Sequence, residues 1–179
     1  MINKNQKIGI IVAQQDFQDE EYFIPKSVFE TAGFGVDTIS ERIGDGLGTF
    51  GGVIKIDSPA SQVKVADYKA LFFVGGSGMG FLLENADFQR IAQEAFRLNK
   101  VIGAVSIAPA LLALAKILTG KKATVWTNGL DNKAVKMLKD TGCIYTEEPL
   151  VADGQIITAN SPTQARKLAE TILNVLGEI

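Results

Sequence analysis

Short apolar runs alternate with longer stretches of helical period along nearly the whole chain, and no other feature limits the fold so strongly. "KIGIIVA" (7–13) is strand-like and β-branched. "EEYFIPKSVFETAG" (20–33) then repeats apolar residues at helical spacing, with Pro25 early in it and Ala32-Gly33 as its stop. "GVDTIS" (35–40) and "YKALFFVGG" (68–76) are further strands. "NADFQRIAQEAFRLNK" (85–100) is amphipathic, with Phe88, Ile91, Ala95 and Leu98 on one stripe. "VIGAV" (101–105) is a strand and "IAPALLALAKIL" (107–118) a largely buried helix. "KATVW" (122–126) and "LDNKAVKMLKDTG" (130–142) follow, and "CIYTEEPLVADGQIITAN" (143–160) carries two strand patterns around Asp153-Gly154. The closing segment, "SPTQARKLAETILNVLG" (161–177), reads as a helix with Ser161 as N-cap and Pro162 at its first position. Such alternation predicts an α/β fold, a mainly parallel sheet with helices on both faces. The glycine-rich "GDGLGTFGGVIKIDSP" (44–59) ends in alternation and predicts a small β-hairpin flap. The 179 residues suit one domain over 1–179, with no repeat and no linker.

Composition narrows the partners. Net charge is −2, so no broad basic face for nucleic acid is expected. No apolar run reaches the roughly 18 residues of a membrane span, and "MINKNQKIGIIVAQ" reads as a first strand rather than a signal peptide. Cys143 is the single cysteine, which rules out an internal disulfide and a zinc cluster and fits a reducing cytoplasm. The chain has no histidine. A Ser-His-Asp or Cys-His mechanism is therefore excluded, in the chain and equally in a homo-oligomer of it. Chemistry is left to carboxylates, hydroxyls, Lys, Tyr, Cys143 and backbone dipoles.

In doubly wound sheets ligands bind at the carboxyl ends of the strands. Three segments fall there. Ser106 stands at an abrupt strand-to-helix change, in "GAVSIAPALL" (103–112). A nucleophile elbow needs small residues two before and two after the nucleophile, and Ala104 and Ala108 meet that need. The other reading is a plain N-cap, which serine fills well. A strained backbone at Ser106, with φ positive or near the bridge region, would separate the two. "FVGGSGMGF" (73–81) has neither the dinucleotide fingerprint nor a Walker lysine, so it calls for no nucleotide cofactor. Its Gly75-Gly76 turn either offers N–H groups to an oxyanion or is a turn alone. "DFQDEEYFIP" (16–25) packs four carboxylates into six residues. Capping of a helix N-terminus accounts for most of them, and one that is buried would have a raised pKa and could act as acid or base.

Four stretches, in order, resemble one family. They are Phe17, Asp19, Glu21 and Pro25 in "F-x-D-x-E-x-x-x-P"; "DYKALFFVGGSG" (67–78); "KVIGAVSIAPALLALAKILTGKKATVW" (100–126); and "VADGQIITANSP" (151–162). Together they resemble the ThiJ/PfpI superfamily, related to class I glutamine amidotransferases. The resemblance implies a flavodoxin-like three-layer α/β/α sandwich, a homodimer, and hydrolase or lyase chemistry of protease, glyoxalase or deglycase type on small carbonyl or amide compounds; no metal or cofactor is expected. The family nucleophile is a cysteine, and its position is Ser106 here. The glutamate contacting it maps to Glu21, which predicts Glu21 partly buried against the Ser106 hydroxyl, with Asp16, Asp19 and Glu20 more exposed. The oxyanion donors map to the N–H groups of Gly76 and Ile107, with Gly75 in the same turn. Many members have histidine where this chain has Ile107. A serine hydroxyl needs a base, and a carboxylate at its ordinary pKa of about 4.3 is a poor one. Little turnover is therefore expected. A non-catalytic small-molecule-binding or stress-response role and a Glu21-dependent acid/base enzyme without a covalent intermediate are the alternatives.

Overall fold

A computed structural model describes residues 6–178; Met1–Asn5, the start of the amino-terminal segment read above, and Ile179 lie outside the described residues. The strands are β1 Lys7–Ile11, β2 Gln15–Phe17, β3 Gly35–Ser40, β4 Gly44–Gly48, β5 Val53–Ile56, β6 Ser58–Pro59, β7 Ala70–Phe73, β8 Val101–Val105, β9 Lys122–Ala123, β10 Ile144–Tyr145, β11 Leu150–Asp153 and β12 Ile156–Ala159. The helices are α1 Asp19–Thr31, α2 Ser77–Phe81, α3 Ala86–Arg97, α4 Ala108–Leu114, α5 Lys133–Asp140 and α6 Ala165–Leu176.

Seven strands form one sheet in the order β11-β12-β8-β7-β1-β3-β6. All of its pairs are parallel except β11 with β12, a hairpin turned at Gly154. The period of two along the central strands sorts their side chains between two cores. Ile8, Ile10, Ala70 and Phe72 join the core under α1 and α6, whereas Ile11, Leu71 and Phe73 join the core under α3, α4 and α5. Both faces are covered, which is why these strands read as continuous apolar runs. The mainly parallel α/β sandwich predicted from the alternation is thus the observed fold.

The predicted flap is present as β4 paired antiparallel with β5, and β2 adds to β4 in parallel. Ser58 and Pro59, expected within the flap, instead pair with β3 at the edge of the main sheet. The segment 122–126 gives only the short β9, which pairs with β10 outside the main sheet. Leu98 is not on the buried stripe of its helix. It is the C-cap of α3, where the helix has already turned, and is 41% exposed, while Phe88, Ile91 and Ala95 are fully buried. Ser161 does not cap the last helix. It precedes a 3-10 turn at Pro162–Gln164, its hydroxyl pairs with that of Thr163 at 2.8 Å, and α6 starts only at Ala165. No helix among the described residues is long and apolar enough to cross a membrane.

Candidate active site

Ser106 follows directly on β8 and takes φ +57°. A non-glycine residue there carries backbone strain, which persists only when its surroundings fix it. They do so on both sides: the Ser106 N–H donates to the Ala159 carbonyl and the Ser106 carbonyl accepts from the Trp126 N–H, each at 2.9 Å. Ala104 and Ala108 are fully buried. The N-cap of α4 is Ile107, without a side-chain cap bond. The Ser106 hydroxyl instead donates to Glu21 Oε1 at 2.6 Å. The geometry is therefore that of the elbow, and the capping alternative does not describe it.

Glu21 lies in the first turn of α1 and is fully buried. Of the other three carboxylates in its run, Asp16 and Glu20 are exposed and Asp19 is half-buried. Pro25, four residues on, has no N–H to offer the Glu21 carbonyl, so the helix is loosely bonded just where it delivers this side chain. Glu21 Oε2 accepts from the Gly75 N–H at 2.8 Å. Burial pushes the Glu21 carboxyl up to about 7, against the Ser106 and Gly75 hydrogen bonds, which favour the ionised form. A base near neutrality is what acid–base catalysis uses best.

Gly75 and Gly76 differ in role. The Gly75 N–H is spent on Glu21, so Gly75 is not a donor to an oxyanion, in contrast to the expectation for this turn. A Cβ at Gly75 would meet Glu21 Oε2 at 2.6 Å and Ser106 Cβ at 2.7 Å, so only glycine lets the turn approach this closely. Gly76 has φ +104°, a conformation that favours glycine. The hydrogen bonds found among the described residues engage neither the Gly76 nor the Ile107 N–H. Both residues line a pocket of about 410 Å³ with Glu21 and Ser106.

Gln18, Ser77, Gly80, Trp126 and Pro162 complete that lining. The sequence reading did not single them out, although Trp126 and Pro162 end two of the quoted family stretches. Asp19, named in the sequence reading only within the family stretch and among the more exposed carboxylates, has a role not expected there: its carboxylate accepts from the N–H groups of Phe50 at 2.9 Å and Gly52 at 2.7 Å. Asp19 thereby ties the flap to the helix that carries Glu21. Cys143 is buried away from this lining, its thiol donates to the Lys121 carbonyl at 3.3 Å, and burial raises it to about 11, which leaves it unsuited to attack.

The crystal structure of a ThiJ/PfpI domain protein from Brachyspira murdochii matches this fold with a TM-score of 0.90 at 30% identity, over 99% of each chain. An uncharacterized protein of Methanocaldococcus jannaschii is 38% identical over 97% of this chain and 83% of its own length. Protein/nucleic acid deglycase 2 of Escherichia coli is 27% identical over 97% of this chain and 99% of its own. The sequence pattern of the DJ-1/PfpI family spans residues 6–175, and the chain belongs to that family.

Proposed function

We propose that this chain is a Glu21-dependent hydrolase of small amides and related acyl compounds, in which Glu21 is the general base and Ser106 the group it acts on. One observation carries this reading: a 2.6 Å hydrogen bond joins the Ser106 hydroxyl to a fully buried carboxylate held near pKa 7. The expectation of little turnover rested on the absent histidine, on serine in place of cysteine and on a carboxylate at its ordinary pKa. Burial bears on the last of these, because a base at about 7 is close to an imidazole, ordinarily about 6.5.

The charge movement supports the same assignment. Attack forms a bond from Ser106 Oγ to the carbonyl carbon while the hydroxyl proton passes to Glu21 Oε1. The carbonyl π electrons move to the ligand oxygen, which the Gly76 and Ile107 N–H groups can receive. Negative charge so leaves a fully buried carboxylate, where burial disfavours it, for an atom facing two N–H donors. Collapse of the adduct of an amide expels the amine, which takes the proton from Glu21, and water then releases the acyl group by the reverse roles.

The experiment is turnover of fluorogenic amides and esters by the chain and by Glu21→Gln, Ser106→Ala and Ser106→Cys. Loss of general-base help should lower the rate about 10²- to 10⁴-fold in Glu21→Gln. Ser106→Ala should fall comparably, and Ser106→Cys should exceed the parent, since a thiol near pKa 8.5 gives up its proton more readily to such a base. The parent rate should rise with pH through about 7 as Glu21 ionises. Activity kept in Ser106→Ala but lost in Glu21→Gln would transfer the attack to water. No turnover in any variant would leave the site to a non-catalytic binding protein.

A further inference from the structure

The pocket contains one ionisable side chain and it is a carboxylate. The chain has eighteen lysines and arginines, and none of those among the described residues lines this pocket. Its walls are apolar at Ile107, Trp126 and Pro162, and its remaining polar side chains, Gln18, Ser77 and Ser106, are neutral. Trp126 is 38% exposed, so part of its ring is open to a ligand.

From this lining we propose that the site selects neutral carbonyl compounds carrying an aromatic or branched apolar substituent, and turns away carboxylates and phosphorylated compounds. The inference rests on the hydrolase reading for the position of the reacting carbonyl, beside the Gly76 and Ile107 N–H groups. A ligand anion would lie next to Glu21 without a cation to balance either charge, and transferring an uncompensated anion from water is costly. The two N–H donors do not alter this, since they are neutral and carry no balancing charge. The apolar substituent is drawn to the apolar lining, where burial against the Trp126 and Ile107 side chains contributes about 25 cal/mol per Å². A pocket of about 410 Å³ is within the size range of sites for small organic ligands, about 300–1,000 Å³.

Trp126 is the only tryptophan, so its fluorescence reports occupancy of this pocket alone. The test is a fluorescence titration of the chain with mandelamide, mandelate and lactamide, which separate charge from ring at nearly constant shape. Mandelamide should bind at least about tenfold more tightly than mandelate, in keeping with the cost of an unpaired buried charge. It should bind several-fold more tightly than lactamide, which lacks the ring. Gln18→Lys should narrow the first preference by admitting mandelate. Trp126→Leu, followed by calorimetry, should narrow the second. Equal or tighter binding of mandelate, equal binding of lactamide, or no binding of mandelamide would each overturn the proposal. These binding preferences are independent of turnover. If they hold while hydrolysis does not depend on Glu21, the hydrolase reading fails and the ligand class stands; if the Glu21 dependence holds while mandelate binds best, the reverse is true.

Discussion

Ser106 and Ser161 leave adjacent strands of one sheet, and each enters a helical segment with a proline close behind. Strands β8 and β12 pair in parallel with Val105 opposite Ala159, so the two junctions are neighbours in space as well as alike in sequence. Their conformations are opposite. Ser161 is extended, with φ −156° and ψ 159°, a region any residue adopts, and its hydroxyl meets only Thr163. Ser106 is left-handed, its backbone is bonded at both ends, and its hydroxyl meets a buried carboxylate. Strain of this kind costs on the order of 1–3 kcal/mol. The difference teaches that a strand-to-helix serine becomes an elbow when distant groups hold it there: the Ala159 carbonyl, the Trp126 N–H and Glu21. The first two experiments below try to break that hold, and the third compares the two serines directly.

The strongest way to break it is Gly75→Ala. The new Cβ would fall 2.6 Å from Glu21 Oε2, 2.7 Å from Ser106 Cβ and 2.8 Å from the Val105 carbonyl oxygen. Glu21 Oε2 is the end of a buried side chain pinned by two hydrogen bonds, and Ser106 Cβ and the β8 backbone cannot move aside. We expect a loss of about 3 kcal/mol in urea unfolding, at the upper end for overpacking. A cost under about 1 kcal/mol would mean that the junction is soft and that its left-handed backbone is not over-determined.

The next effect is electrostatic. The Glu21 carboxyl is raised from 4.5 to about 7 in the fold. The native state therefore holds a proton that the unfolded chain has released between these values, and stability falls as pH rises through this window. Below about 4.5 the contribution is fully present, and above about 7 it is gone. At about 1.4 kcal/mol per pKa unit, it amounts to about 3 kcal/mol across the window. Glu21→Gln should flatten this part of the pH–stability curve. A curve that keeps its slope in Glu21→Gln would assign the titration to another group and leave Glu21 without its near-neutral pKa.

These two residues also show what was legible in the sequence. The sheet and its helices were legible because burial on both faces imposes continuous apolar strands and one-sided helices, patterns of short range. The elbow was half legible: Ala104 and Ala108 marked a tight turn, but the same letters fit a cap. Glu21 could not be told from Asp19 or Glu20 by local pattern, since all three suit a helix start, and only the family resemblance picked it out. Asp19 shows why. Its partners Phe50 and Gly52 lie 31 and 33 residues away, joined by a topology that local periodicity does not encode. The role of Gly75 was misplaced for a related reason. The turn was evident, but which of its two consecutive N–H groups meets Glu21 depends on a helix 54 residues away in the chain. Trp126 and Pro162 reach the pocket from outside the elbow and the glycine turn, as the chain returns to the same end of the sheet.

The smallest and most discriminating experiment sets Ser106→Ala against Ser161→Ala. Both remove one hydroxyl from the same kind of junction. Ser161 shares its hydrogen bond with another hydroxyl, in a pair that is exposed, and makes no cap bond. Its replacement should stay within about 0.5 kcal/mol of the parent, as for ordinary surface changes. Ser106→Ala keeps the left-handed backbone and strips Glu21 Oε1 of its donor. Hydrogen bonds to a charged partner are worth about 1.5–3 kcal/mol and those between neutral groups about 0.5–1.5 kcal/mol. The gap between the two variants should therefore be wider at pH 8, where Glu21 is largely ionised, than at pH 5, where it is largely protonated. Urea unfolding of both variants at the two pH values measures it. An equal cost for both serines at pH 8 would mean that the carboxylate gains nothing from Ser106. A gap that does not change with pH would mean that the contact is real but that Glu21 does not titrate between the two conditions. Only a pH-dependent gap identifies the hydroxyl as the group that shares its proton with a buried base, the property that separates this serine from its neighbour.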